Sequence, residues 1–150
     1  MTKHFVPFSI LVIFLTIVGC DKFGGGELDL VKNGTLAMDK SLTVGKAIDN
    51  YKYFKNTEWK LVTTDNGKKI VEAVGNIDTG KHPTLNSNGG IKSIHIKFQF
   101  KINQDKTFEL AWCGIGAEKN DGSKLEEDQN VNMLKCINSL KSIYNNSEDL

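Results

Sequence analysis

The stretch Ile94-His95-Ile96-Lys97-Phe98-Gln99-Phe100-Lys101-Ile102 alternates apolar and polar residues without a break. Successive side chains of a strand point to opposite faces. The run therefore predicts a strand with Ile94, Ile96, Phe98, Phe100 and Ile102 on one side and His95, Lys97, Gln99 and Lys101 on the other. One buried and one wet face favours antiparallel pairing, because parallel sheets are covered on both sides.

The rest of the chain supplies partners for that strand. Trp59, Leu61 and Thr63 alternate with Glu58, Lys60 and Val62, and Asp65-Asn66-Gly67 is a strong turn signal. Lys69 to Ile77 makes the return strand of this first hairpin. A polar connection from His82-Pro83 to Asn88-Gly89-Gly90 leads into the alternating run. Asn103-Gln104-Asp105-Lys106 then turns the chain into a strand holding Phe108, Leu110 and Trp112. Upstream, Val44, Ala47, Ile48, Tyr51 and Phe54 recur at helical spacing behind Thr43 as N-cap, which predicts a helix over about 43–54. Downstream, Ser123-x-x-Glu126 reads as a capping box opening a second helix, with Met133, Cys136, Ile137, Leu140, Ile143 and Tyr144 on its face and a tail fraying after Asn145-Asn146. The order helix, two hairpins, helix predicts an α+β fold: a single four-stranded antiparallel sheet with an N-terminal and a C-terminal helix packed on it.

The first 19 residues fall outside that fold. Lys3 gives a short charged start, and Phe5 to Val18 is apolar apart from Ser9 and Thr16. This is the length of a signal-peptide core and short of the roughly 20 residues a spanning helix needs. Ile17-Val18-Gly19-Cys20 at its end resembles the lipobox of bacterial lipoproteins, with Ile in place of the usual Leu. The resemblance implies cleavage after Gly19, a diacylglycerol on the Cys20 sulfur and a place in the bacterial cell envelope. Asp21 directly after the cysteine resembles the signal for retention at the inner membrane, with the outer membrane as the alternative, since other lineages sort differently. Gly24-Gly25-Gly26 disfavours regular structure, so residues 20–40 read as lipidated cysteine and flexible tether, and residues 41–150 as the domain. The predicted order of elements is similar to small envelope lipoproteins such as outer-membrane-assembly accessory lipoproteins and the β-lactamase-inhibitor-protein-like group, a likeness of topology matched by no motif.

With Cys20 lipidated, Cys113 and Cys136 remain as a pair in a compartment that permits disulfides. A bridge would close a loop of about 22 residues and contribute about 3 kcal/mol. Strict alternation, however, turns Cys113 away from the face of Phe108, Leu110 and Trp112, while Cys136 faces the core. A bulge or strand end near Gly114 would reconcile them; the alternative is two buried free thiols.

Catalytic signals are sparse. All 19 positive residues are lysine, and without Lys3 they balance the 18 acids. A neutral chain lacks the basic footprint of a nucleic-acid binder, and the missing arginine removes the best bidentate phosphate clamp. His82 and His95 read as solvated surface histidines, and no His-x-x-x-His pair suggests zinc. Gly114-x-Gly116 lacks the third glycine of a dinucleotide loop, and Val44-Gly45-Lys46 lacks the upstream glycine of a P-loop. Glu126-Glu127-Asp128 fits a helix N-terminus, and Ala117 and Lys119 spoil an EF-hand alignment. The expectation is a chain with no catalysis, metal or cofactor, held to the membrane by Cys20. It binds an envelope protein through His95, Lys97, Gln99 and Lys101 or through an edge strand. The alternative is an inhibitor or immunity-type lipoprotein acting against a lytic enzyme or toxin.

Overall fold

A computed structural model describes residues 25–83, 90–125 and 132–150. Its elements are α1 (Gly25–Asn33), α2 (Val44–Asp49), β1 (Phe54–Thr63), β2 (Lys69–Ile77), β3 (Ile91–Ile102), β4 (Phe108–Lys119), β5 (Lys124–Leu125) and α3 (Met133–Tyr144). The strands form one antiparallel sheet in the order β1-β2-β3-β4-β5. The fold is therefore α+β, with five strands where the sequence predicts four. Cys20 and Asp21 lie outside the described residues, as do most of the 82–90 connection and Glu126-Glu127-Asp128.

Three hairpins are closed by the same three-residue loop. Thr64 N–H donates to Lys68 O at 2.9 Å, Asn103 N–H to Thr107 O at 2.8 Å, and Lys119 N–H to Ser123 O at 2.8 Å. The third loop residue is left-handed each time: Gly67 at φ 75°, Lys106 at 61° and Gly122 at 83°. Glycine adopts that conformation freely, whereas Lys106 holds it against its Cβ. Asp105 and Asp121 stiffen their loops by accepting from the N–H and hydroxyl of Thr107 and Ser123. The third loop creates β5. Ser123 thus closes a hairpin rather than capping a helix, and α3 begins later, where Asn132 Oδ1 accepts from Leu134 N–H at 2.8 Å.

The core lies between one sheet face and the three helices. Val71, Ala73, Ile96, Phe98, Phe100 and Cys113 from the sheet meet Val31, Val44, Ala47, Ile48, Cys136, Leu140 and Ile143 from the helices. Burying each large apolar side chain contributes about 1.5–3 kcal/mol, and Phe98 and Phe100 sit at the centre of the layer, fully buried.

Two helical expectations shift. The predicted tether over 20–40 is ordered from Gly25 onward: α1 buries Val31 completely, Glu27 pairs with Lys69, and Lys32 reaches Asp49 at 3.0 Å. These contacts offset the entropy cost of the glycines that start the helix. The helix expected over 43–54 stops at Asp49, capped by Asn50. Tyr51 leaves the helix yet stays buried, donating its hydroxyl to Ser147 O at 2.7 Å. With Asn146 Oδ1 accepting from Lys52 N–H at 3.0 Å, that bond ties down the tail expected to fray.

Cys113 and Cys136 are joined in a disulfide with their Cα atoms 5.5 Å apart. The conflict with alternation is resolved by a bulge at Ala111, upstream of the expected place near Gly114. Phe100 pairs with Leu110, whereas Gln99 pairs with Trp112, so Ala111 has no partner on β3. The extra residue returns Cys113 to the core face opposite Phe98 and turns Trp112 outward. Trp112 therefore does not share a face with Phe108 and Leu110.

Candidate functional site

All three helices cover the same side of the sheet, and the outer side carries the residues singled out in the sequence. His95, Lys97, Gln99 and Lys101 alternate along β3 on this side, flanked by β2 (Ile70, Glu72, Val74, Asn76) and by β4 (Glu109, Trp112, Gly114, Gly116). From β1 come Glu58, Lys60 and Val62. The surface is mixed rather than merely wet. Val62, Ile70, Val74 and Trp112 are each partly exposed between the charged groups.

Glu72 organises its centre. Although it lies on the outer side, only 4% of it is exposed, because longer neighbours arch over it. Lys60 Nζ lies 2.8 Å from Oε1 and Gln99 Nε2 donates to Oε2 at 2.9 Å. Burial pushes the carboxyl up, but the Lys60 and Gln99 hydrogen bonds, with Lys97 and Lys60 charge nearby, outweigh it and hold Glu72 below the usual glutamate range. A buried charge needs such partners to remain ionised. Lys101 reaches Glu109 at 3.2 Å on the β4 side.

His95 lies across β4 because Gly116, its cross-strand partner, has no side chain. A Cβ there would come within 2.6 Å of the His95 ring. The flat imidazole thus extends the surface toward β5, beside a shallow depression of about 400 Å³ lined also by Asn76, Ser93 and Leu125.

The structure brings the four predicted β3 residues together and adds Lys60, Glu72 and Trp112. Trp112 was hidden from strict alternation by the bulge. The signal for it was the cysteine conflict, since Cys113 reaches Cys136 only if Trp112 faces out. Glu72 and Lys60 were legible as β1–β2 neighbours once the hairpin register was known.

His82 is corrected. It is 1% exposed, not solvated, and its ring packs 4.7 Å from that of Tyr53. Burial pushes its imidazole below the usual histidine range, against the opposing charge of Glu148. A second depression, of about 570 Å³, lies on the helix side between β4 and α3, lined by Ile115, Lys135, Asn138 and Leu150. Ile115, Leu125, Met133 and Leu134 are exposed large apolar residues.

Among the described residues, no three His, Cys, Asp or Glu side chains converge on a metal-sized site, and no helix is long and apolar enough to cross a membrane. Comparison with protein families, with curated proteins and with solved structures found no match.

Proposed function

We propose that the protein is an envelope lipoprotein whose mature domain is a protein-binding or adaptor module without catalysis, held to the membrane by diacylglycerol on Cys20. The supporting observation is the outer sheet side, where Val62, Ile70, Val74 and Trp112 are interleaved with paired charges and, among the described residues, no helix lies over them. Partly exposed aromatic and aliphatic groups set among fixed charges suit a partner surface, since aromatic anchors carry much of the affinity at interfaces. The ion pairs of Lys60 and Glu72 and of Lys101 and Glu109 hold the charges in register for a complementary face.

The test is photo-crosslinking in intact cells from a reactive residue at Lys97. A specific partner should be captured, and capture should fall at least tenfold with Trp112→Ala combined with Lys101→Glu. Labelling that is unspecific, or insensitive to those changes, refutes this surface. Cys20→Ala should abolish leader processing and membrane association; a variant still processed and membrane-bound refutes the anchor.

The second reading, an inhibitor or immunity-type lipoprotein, is favoured by the disulfide that staples β4 to α3. A cross-linked domain loses little entropy when it meets a lytic enzyme or toxin. Protection of cells against such an enzyme, lost with the same two substitutions, would select it over the adaptor.

A further inference from the structure

Three features converge on one end of the domain. The β1–β2 turn (Asn66, Gly67, Lys68), the β3–β4 turn (Asn103, Gln104, Lys106) and the first residues of α1 (Gly26, Glu27) together line an open cleft of about 770 Å³. Glu27 binds Lys69 across that cleft, and Val31, one turn on from Glu27, is locked in the core. The start of α1 is thereby fixed to this end.

Only five residue steps separate Cys20 from Gly25. Whatever their conformation, they span at most about 18 Å. By contrast, the 12 residues of β3 run about 40 Å from one end of the sheet to the other. A lipid on Cys20 thus holds the start of α1 within about 18 Å of the bilayer, too close for the opposite end of the sheet to be turned toward it.

We infer that the turn end of the domain, around Gly26, Lys68, Gln104 and Lys106, rests on the phospholipid headgroups. The inference depends on the lipidation proposed for Cys20. The chemistry of the end suits a zwitterionic surface. Lys68 and Lys106 are exposed at the two turns with Asp65 and Asp105 beside them, and Lys69 and Glu27 neutralise each other. Lysine ammonium groups donate to headgroup phosphates, while the carboxylates meet headgroup amines. Leu30 at the cleft adds a small apolar contact. This places the β4–β5 turn, at the other end of the strands, away from the membrane and open to a partner.

The test uses the full-length lipidated protein in phosphatidylethanolamine vesicles with a minor phosphatidylglycerol fraction, some lipids carrying a headgroup nitroxide. Because Cys113 and Cys136 are bonded, a fluorophore is placed on a single new thiol at Gln104→Cys or at Asn120→Cys, both exposed turn positions. Quenching at Gln104→Cys should exceed that at Asn120→Cys at least threefold. Equal or reversed quenching, in protein whose mass shows the diacylglycerol, overturns the orientation and leaves the anchor standing. A mass without diacylglycerol overturns the anchor and the orientation with it.

Discussion

Cys113 and Cys136 are bonded across the core, 23 residues apart in sequence, and fasten the fourth strand to the last helix. The bond closes a loop that contains the second half of β4, the β4–β5 turn and β5. Loop-closure entropy assigns it about 3 kcal/mol. Reduction, or the Cys113→Ala/Cys136→Ala double variant, should lower the unfolding free energy by about that amount in urea titration. A loss under 1 kcal/mol would show that α3 is held by packing alone.

The bulge at Ala111 makes an opposite pair of predictions for neighbouring aromatics. Phe100→Ala removes a fully buried ring and should cost about 3–5 kcal/mol. Trp112→Ala, on the outer side, should cost about 1 kcal/mol or less. Denaturant midpoints for the two variants decide it. Equal large losses would place Trp112 in the core and remove the bulge.

Gly116 and His95 should be coupled. Gly116→Ala sets a Cβ against the imidazole and should destabilise by about 1–2 kcal/mol. In a His95→Ala background the same change should cost much less. Additive losses across the double-mutant cycle would mean that the ring does not lie on that glycine.

Lys106 is the one left-handed residue of the three hairpin loops that is not glycine. Lys106→Gly should therefore raise stability by about 0.5–1 kcal/mol, as relief of the Cβ strain exceeds the added unfolded-state entropy. The readout is the thermal midpoint, which should rise; a fall would mean that the lysine side chain contributes more than its backbone costs.

His82 supplies a pH dependence. Its folded pKa lies below the ordinary value of about 6.5, so between the two the unfolded chain binds more protons. Stability from this group is thus complete above about 6.5 and declines as pH falls toward the folded pKa. The groups around it, Tyr53 on one side and Glu148 on the other, do not reverse that sign. Urea titrations between about pH 5 and 7.5 should show the slope, and His82→Gln should flatten it.

The sheet was legible where one face is buried and one is open. In β3 the alternation matches burial at Ile96, Phe98 and Phe100. It failed where a single residue breaks the period, because nothing in Leu110-Ala111-Trp112 announces a bulge; its effect appears only through the distant Cys136. β5 was missed although Asn120-Asp121-Gly122 carries the same kind of turn signal as Asp65-Asn66-Gly67, since Ser123-x-x-Glu126 offered a competing helix start. α1 was missed because glycine at its start argues against a helix locally, while Val31, Glu27 and Lys32 stabilise it through partners far along the chain. The candidate surface was half legible: four β3 residues follow from period two alone. Glu72, Lys60 and Trp112 needed the strand register, which period two alone does not give.

Every strand of the sheet pairs only with its neighbours in sequence. The ladder can consequently assemble by closures between sequence neighbours, three of them guided by a three-residue loop and the β2–β3 closure by the longer 78–90 connection. α1 and α3, which come from opposite ends of the described chain, both bury their apolar residues on the surface that this ladder presents. Cys113 lies on a strand that neighbour pairing alone can place, so the ladder does not need the Cys113–Cys136 bond to set its register. Most of the sheet's pairing instructions therefore lie close together along the chain and become available in the order in which it is made.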